Sequence, residues 1–183
     1  GCPVDDEAFC ARAAEAARAL VAGDAAALLE LSRPERFECT DVDVEFFPAC
    51  ETSSVLEGYP LTDARFAIEV LDRSAYRRQL DAILSSIEAS YSDEQGDGSP
   101  TILGVGTCGP PDPERRSYHL VWTAAASEGG SEPERLLGSF EFTYDHDWAI
   151  ALWFLDTVDG WGQVYTDPFA EIGCAGAADP WLR

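Results

Sequence analysis

Residues 72–91, DRSAYRRQLDAILSSIEASY, decide how the chain folds. Tyr76, Leu80, Ile83, Leu84, Ile87 and Tyr91 recur at i, i+4, i+7, i+8, i+11 and i+15, which gathers the large apolar side chains on one stripe of a helix opened by Asp72 or Ser74. A stripe of that width needs an apolar surface to lie on. Residues 136–156, LLGSFEFTYDHDWAIALWFLD, offer one. Phe140, Phe142 and Tyr144 alternate along one strand and face Trp148, Ile150, Leu152 and Phe154 of the next, across a short polar turn of Asp145, His146 and Asp147. Two more strands read over 101–107 and 117–125, with an acidic, Gly-rich hairpin loop at 127–134. A long helix leading into a run of antiparallel strands is an α+β pattern, with a curved, mainly antiparallel sheet of four to six strands closing around the helix.

Outward toward the N-terminus, Asp5 or Asp6 caps a run in which Phe9, Ala13, Ala16, Ala17, Leu20 and Val21 keep helical spacing up to Gly23. Asp24 caps a short second helix carrying Leu28, Leu29 and Leu31, which stops near Pro34. From 37 to 62 the pattern is irregular, and Phe66, Ile68 and Val70 then alternate like a short strand. Outward toward the C-terminus, 158–183 is rich in Gly, Pro and aromatics, with Trp161, Tyr165, Phe169 and Trp181, and reads as an extension wrapping back over the core of a single domain spanning 1–183.

This order of elements, a first helix, then Ala22, Gly23 and Asp24, a short leucine-bearing helix, a long helix, and a strand meander reaching Trp148, Ala149 and Ile150, resembles the nuclear transport factor 2-like (NTF2-like) superfamily of cone-shaped, cystatin-like α+β proteins. The loop holding Cys39 and Cys50, followed by Gly58 and Tyr59, looks like that of secreted bacterial members. The resemblance covers about residues 5–156 and lies in element order more than in particular residues. It implies a cavity inside the cone. It does not imply a reaction, because the superfamily includes isomerases, dehydratases, transport adaptors and pocket-bearing proteins with no known activity.

Composition narrows the setting. Thirty-four acidic residues against twelve basic ones leave a formal charge of -22, so nucleic acid and anionic lipid headgroups would be repelled. Six cysteines, Cys2, Cys10, Cys39, Cys50, Cys108 and Cys174, with no CxxC and two histidines, read as a disulfide framework in an oxidising, extracytoplasmic compartment. Six cysteines allow fifteen connectivities. Cys39 with Cys50 is the economical first pairing, closing a loop worth about 2.7 kcal/mol of chain entropy. Cys108 with Cys174 would tether the C-terminal stretch to the sheet, and Cys2 with Cys10 would clip the N-terminus to the first helix. Gly1 followed by Cys2 also reads as the end of a lipobox, in which Cys2 carries lipid and attaches the protein to a membrane surface. Both readings of Cys2 stand at this point.

Chemistry is sparse. His119, inside a strand, and Glu141 are the candidate acid/base residues if the cone is catalytic. Tyr118, Trp122 and Trp153 are the candidate lining of an apolar ligand pocket, with core packing as the plainer reading. The run from Tyr144 to Trp148 could hold a metal, but Asp is favoured in a hairpin turn for its own backbone bonding. Asp41, Asp43 and Glu45, like Asp93, Asp97 and Gly98, begin as calcium loops do and lack the closing Glu. No metal or cofactor is expected, and no nucleophile elbow or phosphate loop occurs. The function expected is non-enzymatic binding of a small apolar ligand or a partner protein, as monomer or homodimer, with a small-molecule isomerase, dehydratase or hydrolase as the alternative.

Overall fold

The computed structural model describes residues 2, 4–40, 44, 47–62, 68–89, 100–108, 117–126, 134–158 and 174–177; at 62, 88–89, 107–108, 125–126, 134–135, 152–158 and 174–177 it describes the backbone alone. Helix α1 (Glu7–Val21) starts where the Asp6 carboxylate accepts the Phe9 amide at 2.9 Å. It ends at Gly23, whose φ of 65° is open to a residue without Cβ, and the Asp24 amide then donates back to the Ala19 carbonyl at 2.8 Å. Asp24 at once caps α2 (Ala25–Leu31) by accepting the Ala27 amide at 3.0 Å. The predicted helical hairpin therefore forms with the predicted caps. Asp72 opens α3 (Arg73–Ala89), its Oδ1 accepting the amides of Ser74 and Ala75, and those bonds hold the carboxyl below the usual carboxylate range.

The strands are β1 (Glu35–Glu38), β2 (Val55–Thr62), β3 (Ile68–Leu71), β4 (Thr101–Cys108), β5 (Ser117–Ala126), β6 (Glu134–Asp145), β7 (Asp147–Val158) and β8 (Cys174–Ala177). They form one sheet in the order β1-β2-β7-β6-β5-β4-β8, with β3 paired to β2. All ladders are antiparallel except β2 with β7. The sheet is thus wider than the four to six strands expected. β2 and the second half of β1 fall in the stretch 37–62 read as irregular, because Glu35–Glu38 is a short, charged edge and β2 contains Gly58 and Pro60. The short strand expected around Phe66 begins at Ile68, and Phe66 lies outside the described residues.

Strand alternation gives the sheet two distinct faces. The first carries Leu120, Trp122, Phe140, Phe142, Trp148 and Ile150, all buried in one cluster with Phe9, Ala13 and Leu20 of α1, Leu28 of α2, and Tyr76, Leu80 and Leu84 of α3. The α+β architecture, helices on one face of a mainly antiparallel sheet, is the one expected. β6 and β7 shift register between Glu141 and Phe142, a bulge that adds bend to the longest hairpin.

Candidate functional site

Among the described residues, aromatic rings pack the space between the sheet and the helices. Phe9 sits 4.6 Å from Tyr118, 5.6 Å from Phe142 and 5.2 Å from Trp148, centroid to centroid. Trp122 is fully buried beside Phe140, at 5.9 Å, and lies over Gly138. A Cβ on Gly138 would come within 2.2 Å of the Trp122 ring, so the missing side chain is what admits the indole. Of the three expected ligand-lining residues, Trp122 is core and Tyr118 is half-buried in the aromatic stack; the Trp153 side chain lies outside the described residues, its backbone opposite Phe140. Tyr76 stacks on Tyr59 at 4.8 Å, shares a 3.1 Å hydroxyl contact with Ser32, and burial pushes its phenol up.

His119 and Glu141 are brought together, but not inside the cone. They are direct partners in the β5–β6 ladder. Tyr118 and Leu120 belong to the helix side, so His119 between them points to the second face, and Glu141 between Phe140 and Phe142 does the same. This alternation places both candidate acid/base residues on the face away from the helices. Ser139, which sequence reading did not single out, completes the group: its hydroxyl lies 3.4 Å from His119 Nδ1. Only the register reveals it, because Ser139 is two residues from Glu141 and diagonal to His119. Burial pushes His119 down to about 4, so the imidazole is neutral at physiological pH. A neutral His beside a hydroxyl can exchange a proton with it, while so low a pKa makes the ring a weak base.

The turn read as structural is structural. His146 has a φ of 65°, and Asp147 accepts its neighbour Trp148's amide at 2.8 Å. Asp147 also accepts from Arg12 at 2.8 Å, which lowers its pKa. Arg33, leaving α2, donates to Thr143 Oγ1 at 2.6 Å and to the Asp145 carbonyl at 3.3 Å, and its own amide donates to the Ile150 carbonyl. These bonds bind the helical hairpin to the β6–β7 hairpin. Beside them, between α1 and α2, runs an open groove of about 500 Å³ with Arg12, Glu15, Arg18, Asp24 and Glu30 around an alanine floor.

Among the described residues two disulfides form, Cys2–Cys10 and Cys39–Cys50, the second closing the loop before β2. Cys108 and Cys174 are register partners of β4 and β8; their side chains lie outside the described residues. The bond to Cys10 occupies the sulfur that acylation of Cys2 would need, so clip and lipid exclude one another in any one molecule. Among the described residues no group of three or more His, Cys, Asp and Glu could hold a metal, and no helix is long and apolar enough to cross a membrane.

No family model and no curated protein matches the chain. Solved structures do. A ketosteroid isomerase-like protein from Erwinia carotovora atroseptica is 10% identical, covers 86% of this chain and 100% of its own, and gives a TM-score of 0.47. A candidate dehydratase of the NTF2-like family from Streptomyces avermitilis is 14% identical over 85% of this chain and 97% of its own, with a TM-score of 0.47. An NTF2-like protein with a cystatin-like fold from Novosphingobium aromaticivorans is 14% identical over 85% and 83%, with a TM-score of 0.42.

Proposed function

We propose that this is a disulfide-stabilised domain that works outside the cytoplasm, secreted or held at the cell envelope, and binds a partner protein without catalysing a reaction. The observation supporting this is the filled cone. Where a ligand would sit, Phe9, Trp122, Phe142 and Trp148 pack against one another, and Gly138 is spent on making room for Trp122. Binding then falls to the surface. The groove between α1 and α2 has alternating charges around small residues, suited to the backbone and charged side chains of a protein segment more than to an apolar small molecule. The excess of carboxylates favours a cationic partner. Two disulfides support an oxidising compartment.

Native mass spectrometry of protein purified from its own host tests the reading. The expected spectrum shows the chain free of small ligands, lighter than the reduced chain by the hydrogens lost to disulfides, with a protein partner dissociating on activation. A small apolar molecule retained until unfolding would overturn it, and a diacylglycerol adduct on Cys2 would select the envelope-held form.

The alternative, a small-molecule isomerase, dehydratase or hydrolase, is favoured by the His119, Ser139 and Glu141 group. A turnover lost in both His119→Ala and Glu141→Gln, with each variant folded, would establish it in place of the binding role.

A further inference from the structure

The end of the β6–β7 hairpin and the groove between α1 and α2 form one continuous surface. Arg12 is the joint: its guanidinium donates to Asp147 of the hairpin at 2.8 Å and to Glu15 of α1 at 3.2 Å, and both Arg12 and Glu15 line the groove. On the hairpin side the surface begins at Tyr144, whose ring meets Trp148 edge-on at 5.4 Å while Trp148 packs on Phe9 of α1. From Arg12 it continues along α1 to Arg18 and Ala22, with Asp24, Ala27 and Glu30 on the α2 side. The stretch from Arg12 to Ala22 measures about 15 Å at ~1.5 Å per residue, which a short extended segment of another chain covers.

Charge and aromatic exposure together select the occupant. Tyr144 is 49% exposed, although Phe9, Phe142 and Trp148 of the same aromatic stack are buried. A ring open to solvent attracts a cation, and a guanidinium stacks on it where an ammonium cannot. Next to it in the chain the Asp145 side chain is 69% exposed, and among the described residues its carboxylate meets only the imidazole of exposed His146, at 3.7 Å. A ring beside an uncommitted carboxylate suits an arginine, whose face goes to the ring and whose edge goes to the oxygens. With Asp147, Glu15, Asp24 and Glu30 the surface holds five carboxylates, against the guanidinium groups of Arg12, Arg18 and, reaching Glu30 from α3, Arg73. The surface stays negative with all three counted. A second copy of this chain would bring its own charge of -22 to it and be repelled.

We propose that the end of the β6–β7 hairpin and the α1–α2 groove together dock a basic, arginine-bearing segment of a partner protein, one arginine seated between Tyr144 and Asp145 and the segment continuing along the groove. This rests on the partner-binding reading and adds the chemistry that is recognised. Ala19, Ala22 and Ala27 keep the floor low, so a backbone can lie between the charged side chains of α1 and α2. Residues i and i+2 of an extended segment point the same way, so arginines at alternate positions present themselves to the same row of carboxylates. Oppositely charged surfaces also speed the encounter and reject acidic competitors.

Fluorescence anisotropy of the oxidised full chain with a labelled, alanine-based peptide carrying arginines at alternate positions tests this, at about 150 mM salt to screen attraction to the overall charge. The same peptide with lysine at each arginine position has equal charge and is expected to bind about two- to fivefold more weakly. Tyr144→Ala is expected to abolish that preference. Asp145→Asn and Glu69→Gln each remove one exposed carboxylate, the second on β3 and outside the surface. The first is expected to weaken the arginine peptide about threefold, and the second to leave it unchanged. No binding of the arginine peptide, equal affinity for the lysine peptide, or equal effects of Asp145→Asn and Glu69→Gln would overturn the proposal. If Tyr144→Ala unfolds, the Asp145→Asn and Glu69→Gln pair decides. Failure here is distinct from failure of the partner-binding reading. A host protein retained in native mass spectrometry, with peptide affinity unaltered by Asp145→Asn, keeps that reading and refutes this surface. A retained small apolar molecule, with the arginine preference lost in Tyr144→Ala, refutes the reading and keeps the surface.

Discussion

On the helix side of β5 and β6, Leu120, Trp122, Phe140 and Phe142 bury themselves by shape, ring against ring, with Gly138 vacated so that Trp122 fits. One residue along on each strand, His119, Val121, Ser139 and Glu141 form a smaller and more polar surface. The first face tolerates few changes of volume and has no polar chemistry to offer. The second has a His within 3.4 Å of a Ser hydroxyl, a Glu paired with that His in the ladder, and a histidine whose charge burial suppresses. Among the described residues the helix side is thus closed by packing, while an ionisable group lies on the other face.

The largest expected effect lies on the packed face. Trp122→Ala removes a fully buried indole whose site is shaped by Gly138 and cannot collapse easily, so a loss of about 3–5 kcal/mol is expected in denaturant unfolding. Gly138→Ala should cost about 1–3 kcal/mol by overpacking, because its Cβ meets ring atoms held on every side. If Gly138→Ala were neutral, Trp122 would not be seated as tightly as the comparison requires.

The β4–β8 edge of the sheet carries the next effect. Cys108 and Cys174 stand opposite one another at the last rung of β4 and β8. A bond between them would close a loop worth roughly 4 kcal/mol on the chain-entropy model, an upper figure because strain and residual unfolded structure reduce it. Peptide mapping without reduction should recover the two cysteines linked, and Cys174→Ser should lower stability by about 2–4 kcal/mol. Recovery of both as thiols would leave β8 held by backbone bonds alone.

His119 gives the comparison its pH signature. Its folded pKa is depressed to about 4 from an ordinary 6.5, so the unfolded chain binds the proton more readily. Stability is complete above about 6.5 and falls as pH drops toward 4, by on the order of 3 kcal/mol if the whole shift is expressed. His119→Gln should flatten unfolding free energy across that window, whereas His146→Gln, at an exposed turn, should leave the slope as it is. Equal slopes in all three proteins would show that His119 is not shielded.

Much of this was legible beforehand where local chemistry decides. The Asp6, Asp24 and Asp72 caps, the stripe on α3, the Asp-rich turn and the Cys39–Cys50 loop each depend on residues close in sequence. β1 and β2 were not legible, because a charged four-residue edge and a strand broken by Gly58 and Pro60 lack the alternation that marks a strand. The face to which His119 points was not legible either. That depends on which of two alternating sets the helices cover, and Tyr118, Leu120 and Trp122 settle it only once α1 and α3 are in place. Ser139 was missed for the same reason, since its diagonal relation to His119 exists only in the register.

The smallest expected effect concerns how the packed face is held to the rest. Arg33 leaves α2 with its amide on the Ile150 carbonyl and its guanidinium shared among Thr143, the Asp145 carbonyl and Glu35. Thr143 is itself a second-face residue, so Arg33 reaches around the end of the β6–β7 hairpin and joins the helical hairpin to both faces. Arg33→Ala keeps the backbone bond and removes the charged hydrogen bonds, for an expected loss of about 1–2 kcal/mol. Arg33→Lys should recover only part of this, because a single ammonium cannot occupy three acceptors in the plane of the guanidinium. Combined with Trp122→Ala, the losses should add, since Trp122 pairs with Gly138 while Arg33 bonds Thr143, about 17 Å further along β6 at ~3.3 Å per residue; combined with Thr143→Ala, they should overlap, since one bond would be counted in both. Strict additivity in the second pair would show that the 2.6 Å bond between Arg33 and Thr143 contributes nothing to joining the two faces.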